Sequence, residues 1–265
     1  MPLSPLLAAY DNVLLDLDGC LWVGARPVPG SAEAVSELRA AGKRVGFLTN
    51  NSRHSPEDYV RKLWSMGVRA SLEEVMTVGG AIQWRLADRE RSGAYVIGSA
   101  ALYRHVADAG HRILNGTPAA TEADVVVVAG HDDFDFAELR DATRALLRGA
   151  ELLAADRDRT FPTEEGLCPG SGAIVAALEY ATGRTAEVVG KPAPGLFLAA
   201  LDRVGGGSTL VIGDRLDSDL EGAAAAGLDA AIVLSGVTDR EQALAASEPA
   251  PVAVAEDLRS LVGGP

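Results

Sequence analysis

Two cysteines in 265 residues, Cys20 and Cys168, are too few and too widely spaced for a disulfide framework or a zinc site. Basic residues are also short. Lys and Arg total 24 against 37 Asp and Glu, a formal charge of −13, which argues against binding a nucleic-acid backbone. An anionic substrate is not excluded, because one metal ion and one lysine can reverse the field locally. No apolar run approaches the length of a membrane span; Val125-Val126-Val127-Val128-Ala129 reads as a buried strand. Residues 1–10 carry no basic leader and are not expected to form a signal peptide. The four histidines, His54, His105, His111 and His131, fit no ligand spacing, and His54 reads as an exposed helix-start residue. The expectation is a soluble, cytoplasmic protein with no nucleic-acid or membrane partner. With 48% hydrophobic and 23% charged residues it is long enough for one large domain or two modest ones.

What is present begins at Val13-Leu14-Leu15-Asp16-Leu17-Asp18-Gly19. An apolar strand ends in two aspartates one residue apart, and alternation along a strand sends both carboxylates to the same side. Displaying them there is costly unless a cation or a reacting group meets them. The glycine allows a sharp turn and a close backbone approach. Taken alone, D-x-D-G is as readily a capped turn as a site.

The rest of the chain alternates strand and helix. Residues 13–16 and 44–48 read as strands, separated by a helix capped by Ser31. Residues 56–66 and 79–87 read as helices, the former with Ser55 as cap and Pro56 at its first position. The charged run 88–91 with Ser92-Gly93 reads as a linker. Alternation then restarts with strands at 94–97, 124–129 and 151–154, followed by a polar loop from Asp156 to Gly172. It closes with strands at 209–212 and 230–234. The fold class expected is α/β: a Rossmann-like, doubly wound parallel sheet with an inserted α/β cap domain. The division expected is 1–89 for the first part of the core, 90–185 for the inserted cap, and 186–265 for the second part of the core.

Four segments end apolar strands with polar residues: Asp16/Asp18, Thr49-Asn50, Lys191 and Gly213-Asp214. In an open parallel sheet, ligands bind in the crevice outside the carboxyl ends of the strands, so these four are expected to meet. The set Asp16-x-Asp18-Gly19, Thr49-Asn50, Gly190-Lys191-Pro192 and Gly213-Asp214-Arg215-Leu216-Asp217-Ser218-Asp219 resembles the four motifs of the haloacid-dehalogenase-like (HAD) hydrolases, in their order. Gly166-Leu167-Cys168-Pro169-Gly170-Ser171-Gly172 resembles the segment where the cap returns to the core in subclass IIA. That branch holds nitrophenylphosphatase-like, phosphoglycolate and pyridoxal phosphate phosphatases.

The resemblance implies roles for each group. Asp16 would be the nucleophile that becomes an aspartyl phosphate, a competent covalent catalyst because an acyl phosphate hydrolyses readily. Asp18 would be the acid–base group, and Lys191 would neutralise charge on Asp16 and the phosphate. Thr49 and Asn50 would bind the phosphate. Mg²⁺, a hard, oxygen-seeking ion, would be held by the Asp16 and Asp214 carboxylates and the Asp18 carbonyl, with Asp219 behind a metal-bound water. Asp217 reads as a solvated helix-start residue, and Cys20 as a small packed one.

In this subclass the cap largely sets substrate choice. The segment Asp156-Arg157-Asp158-Arg159-Thr160-Phe161-Pro162 resembles its specificity loop, which makes Asp156 and Phe161 the candidate substrate contacts there. Phe161 stands where the pyridoxal phosphate branch carries histidine. It offers either an apolar wall to substrate or simple packing inside the cap. The function expected is Mg²⁺-dependent hydrolysis of a small phosphomonoester such as phosphoglycolate, glycerol phosphate or an aryl phosphate. The alternatives are a catalytically weak relative that binds a phosphorylated ligand, and dehalogenase chemistry, which does not need the second aspartate. Because relatives often pair through the cap, a homodimer is expected.

Overall fold

The computed structural model describes residues 3–163 and 166–263, the side chains of 161–163 and 166–167 excepted. The chain folds as two compact units. One comprises the chain up to Thr49, Pro56–Thr77, and the chain from Lys191 onward; the other comprises Asn50–Ser55 and Val78–Gly190.

In chain order the first unit opens with β1 (Asn12–Asp16), the short antiparallel pair β2 (Trp22–Val23) and β3 (Arg26–Pro27), then β4 (Arg44–Thr49) and β5 (Val75–Thr77). The second unit supplies β6 (Gly93–Ile97), β7 (Arg112–Ile113), β8 (Val125–Val128), β9 (Glu151–Ala154), β10 (Thr160–Thr163), β11 (Gly166–Pro169) and β12 (Glu187–Val188). The chain returns to the first unit for β13 (Thr209–Gly213), β14 (Asp229–Val233) and β15 (Ala253–Ala255).

The first unit's sheet runs β15-β14-β13-β1-β4-β5, and each adjacent pair is parallel. β1, β4 and β5 extend one way from the centre and β13, β14 and β15 the other, so strand order reverses between β1 and β13. A crevice opens at such a reversal because the connections leave to opposite sides. All five residues of β1 are buried, as a central strand covered on both faces requires, and this explains its unbroken apolar run. Leu15 lies beside Phe47 and Ile212, and Asp16 beside Leu48, which puts the ends of β1, β4 and β13 at one edge. The core under this sheet includes Leu15, Leu38, Phe47, Leu63, Ile212 and Leu258.

The second unit has its own five-stranded parallel sheet, β12-β9-β8-β6-β7, and its own core around Ile97, Val126, Val128, Leu146 and Leu178. Its helix Phe136–Leu147 starts at a reciprocal cap, Asp135 accepting from the Glu138 N–H and Glu138 accepting from the Asp135 N–H. Among the described residues no helix is long and apolar enough to cross a membrane.

Several elements depart from the sequence expectation. Ser31 is the first residue of its helix, not the cap: Gly30 precedes it at φ 76°, and the Ser31 hydroxyl instead donates to the Leu21 carbonyl at 3.2 Å. The loop after Asp156 contains the antiparallel pair β10–β11. The helix Val78–Ala87 falls in the second unit, so the division comes before it and not in the run 88–93.

Candidate active site

Asp16 is the last residue of β1, with 8% of its surface exposed, while Asp18 lies just beyond the strand and is exposed. Strand alternation therefore does not relate the two. The chain turns between them and Trp22, where Gly19 at φ 88° donates its N–H to the Trp22 carbonyl at 2.7 Å. The same turn brings the Trp22 indole N–H onto Asp18 Oδ1 at 2.7 Å, and Lys62 Nζ sits 4.0 Å from the centre of the Trp22 ring. The Asp18 side chain is thus oriented by a residue four positions later. Its backbone carbonyl accepts no hydrogen bond among the described residues.

Lys191 and Asp219 come from different segments to meet Asp16. The Lys191 ammonium is 5% exposed and donates to Asp16 Oδ1 and, at 2.6 Å, to Asp219 Oδ1. Asp219 lies in a turn, Leu216–Leu220, wound wider than an α-helix: the Leu220 N–H reaches the Arg215 carbonyl. That winding turns the carboxylate back, so that Oδ2 accepts from the N–H groups of Asp214 and Arg215 at 3.2 and 3.1 Å. Asp219 therefore fixes Lys191 with one oxygen and the loop carrying Asp214 with the other. Asp217 points away, exposed and paired with Arg215.

Asp214, 2% exposed, follows β13. Its Oδ2 accepts from the Val237 N–H at 2.7 Å and its carbonyl from the Thr238 N–H at 3.1 Å. Three glycines make room for these carboxylates. A Cβ on Gly236 would lie 1.9 Å from Asp214 Oδ2, one on Gly19 2.3 Å from the Asp214 carboxyl carbon, and one on Gly213 2.2 Å from that of Asp219. The Ser235 hydroxyl donates to the Gly19 carbonyl at 2.6 Å, tying the loop after β14 to the D-x-D-G turn. Ser235, Gly236 and Val237 were not foreseen from sequence; a Ser-Gly pair directly after an apolar strand was the available signal.

Three carboxylates and one ammonium share this buried space. Burial pushes the Asp16 carboxyl well above the usual range; Lys191 opposes the rise, and Asp219 and Asp214 add to it. Asp214 is pushed up to about 6, by burial first and then by Asp219, against the pull of the Val237 N–H, Lys191 and Arg215. Burial would lower Lys191, but the Asp16 and Asp219 charges outweigh it and hold the ammonium above its ordinary value.

This uncompensated negative charge tests whether a divalent cation fits. Asp16 and Asp214 each place a carboxylate oxygen within 4.8 Å of the other, and Asp16 Oδ2 and Asp214 Oδ1 accept no hydrogen bond among the described residues. Hard oxygen donors with open lone pairs suit Mg²⁺ or Ca²⁺. Asp16, Asp214 and the Asp18 carbonyl would hold the ion, and Asp219 is already committed to Lys191 and the loop amides.

Thr49 ends β4 and is buried. Tyr59 is held above its ordinary value by burial, against a hydrogen bond with Thr49. Asn50 falls in the second unit, where its side-chain oxygen leaves no room for a Cβ on Gly190. Asp156 also lies in the second unit, 7% exposed, its Oδ1 accepting from the Ser171 hydroxyl and from the Asp158 N–H at 2.9 Å. Gly170 and Gly172 let the carbonyls of Asp158 and Arg157 approach, since a Cβ on either would clash at 2.2–2.4 Å. Asp156 thus shapes its own loop. The side chain of Phe161 lies outside the described residues; its backbone pairs with Cys168.

Comparison with known proteins gives this geometry a family. Residues 13–112 match the model of haloacid dehalogenase-like hydrolases, and residues 188–261 match a HAD-hydrolase-like model. D-glycerol 3-phosphate phosphatase of Mycobacterium tuberculosis is 39% identical over 256 residues, covering 95% of this chain and 71% of the relative. Human chronophin is 34% identical over 259 residues, covering 92% and 87%. Among solved structures, glycerol phosphate phosphatase from M. tuberculosis in complex with calcium superposes with a TM-score of 0.89 at 36% identity, over 98% of this chain and 76% of that one. A p-nitrophenyl phosphatase from Archaeoglobus fulgidus gives 0.86 at 31%, over 94% and 97%. On sequence and fold, the chain belongs to the haloacid-dehalogenase-like hydrolases, in subclass IIA.

Proposed function

We propose that the protein is a Mg²⁺-dependent phosphatase of small phosphomonoesters that works through an aspartyl phosphate on Asp16. The observation that carries this reading is the buried Asp16 carboxylate, held by Lys191 on one oxygen and open on the other, beside an open oxygen of Asp214. The M. tuberculosis relative, named a glycerol phosphate phosphatase, has also been solved in complex with magnesium, which supports the choice of ion.

In the first half-reaction an Asp16 oxygen attacks phosphorus, the new O–P bond replaces the ester O–P bond, and Asp18 gives its proton to the departing alkoxide. In the second, Asp18 takes a proton from water as that water attacks phosphorus. Phosphate departs and the Asp16 carboxylate is restored. Lys191 stays protonated throughout and offsets charge on Asp16 and the transferring group. Thr49 and Asn50 bind phosphate oxygens. A divalent cation held by Asp16, Asp214 and the Asp18 carbonyl would supply polarisation of the phosphoryl group and offset its developing charge.

The cap is the insertion expected at 90–185, within the second unit, and its Asp156–Phe161 segment selects the alcohol part of the substrate. Glycerol phosphate, phosphoglycolate and aryl phosphates are the classes to test first. A cytoplasmic location accompanies this reading, in keeping with a chain of only two cysteines, and cell fractionation checks it.

Phosphate release from these esters, with and without Mg²⁺, tests the proposal. Turnover that needs Mg²⁺ supports it. Saturable binding of the esters with no phosphate release would favour a weak relative that only binds them, and halide release from haloacids would favour dehalogenase chemistry.

A further inference from the structure

Cys20 stands one residue beyond the D-x-D-G turn and is completely buried. Its sulfur and one carboxylate oxygen each of Asp16 and Asp214 lie mutually within 4.8 Å. Metal–oxygen and metal–sulfur bonds of about 2.0–2.3 Å set ligand atoms roughly 3.3–4.0 Å apart around a single ion, a spacing these three atoms reach with at most a small inward shift. The thiol is weakly tethered: its hydrogen bond, to the Ile212 carbonyl, is 3.8 Å long. An independent sign that a cation belongs here comes from the two carboxylates. Asp214 is 2% and Asp16 8% exposed as whole residues, and each keeps a carboxylate oxygen that accepts no hydrogen bond among the described residues.

We propose that Cys20 makes this a mixed oxygen–sulfur position that takes a thiophilic divalent ion, of the zinc or cadmium class, in competition with Mg²⁺. Thiolate is a soft ligand that favours such ions over magnesium, whereas the two carboxylates serve either. Binding releases the thiol proton to solvent, and the Cys20 sulfur–metal bond takes its place. Cys168, the other cysteine, lies in the second unit and is partly exposed, which makes it the natural control. The inference rests on reading Asp16 and Asp214 as cation ligands and does not depend on turnover.

The test uses the full chain, stripped of divalent ions and kept reduced by a phosphine. Cadmium is titrated in while ultraviolet absorption follows the cadmium–thiolate charge-transfer band. The band is expected to saturate at one cadmium per chain, to persist in Cys168→Ser and to vanish in Cys20→Ser. Cadmium affinity of Cys20→Ser, read by calorimetry, is expected to fall at least on the order of 10–100-fold, the loss typical of removing even an outer partner of a ligand. In the unsubstituted protein, added Mg²⁺ moves the cadmium midpoint upward, a readout that does not depend on how the variant folds. A band that persists in Cys20→Ser, disappears in Cys168→Ser, or ignores Mg²⁺ overturns the proposal. A Cys20 band in a protein that releases no phosphate upholds this inference while the phosphatase reading fails.

Discussion

Lys191 and Asp156 show how much one buried charge depends on its neighbours. Lys191 is held by two carboxylates and keeps its proton. Asp156 has a hydroxyl and an N–H but no cation among its hydrogen-bond partners, and burial raises its carboxyl from 3.8 to about 6 despite the hydrogen bonds from Ser171 and the Asp158 N–H. A raised acid binds more protons folded than unfolded. Its contribution to stability is therefore complete below pH 3.8 and is lost as pH rises through about 6. That shift corresponds to roughly 3 kcal/mol. Asp156→Asn keeps a carbonyl acceptor for both donors and removes the titration. Relative to the unsubstituted protein, it gains up to about 3 kcal/mol between pH 4 and pH 7, measured by urea unfolding at both. A stability difference that does not change with pH would contradict this.

At the same scale, the gathering of Asp16, Lys191 and Asp214 was legible because each follows an apolar run, and the carboxyl ends of parallel strands gather polar residues where ligands bind. The partner of Asp18 was not. Trp22 reads as a core aromatic, and its indole N–H reaches Asp18 only because the chain turns at Gly19.

Among the elements, the long apolar strands and amphipathic helices were readable from their periodicity. β5 and β15 have three residues each, too few to show a period, and β10 and β11 lie in a stretch interrupted by two prolines. The wide turn at Leu216–Leu220 has no periodic signature either, yet it decides that Asp219 faces Lys191. The loop leaving β14 is the least legible contributor to the site, since its contacts with Asp214 are made by backbone and by a missing side chain.

This last point is testable. Gly236 is absent from the positive-φ residues, so alanine there meets a problem of space alone: its Cβ would fall on Asp214 Oδ2. Gly236→Ala is expected to weaken Mg²⁺ binding by about 10–100-fold, as measured by calorimetry, with the circular dichroism spectrum retained. Gly206→Ala, where no atom lies within 4 Å of the added Cβ, is the control and leaves Mg²⁺ affinity unchanged. Equal Mg²⁺ affinity in both variants would remove this loop from the site.

For the whole molecule, an acidic chain gathers its strand ends at a reversal of strand order, and the proposed function has one buried ammonium and a divalent cation meet an anionic substrate. The α/β class and the family were legible because four motifs keep their order across the chain. The exact division into units was not, because the helix Val78–Ala87 carries no sequence mark of which sheet it accompanies. The expected homodimer is a separate matter, and light scattering at the mass of one chain, 27.5 kDa, would remove it.

The central claim is that Asp16 takes the phosphoryl group. Protein mixed with an aryl phosphate and Mg²⁺, quenched in acid within a turnover and digested, is predicted to carry one phosphoryl mass on the peptide containing Asp16, and Asp16→Asn to carry none and to release phosphate only at background. Turnover by Asp16→Asn at a rate near that of the unsubstituted enzyme, or the phosphoryl mass on a different peptide, would contradict the account.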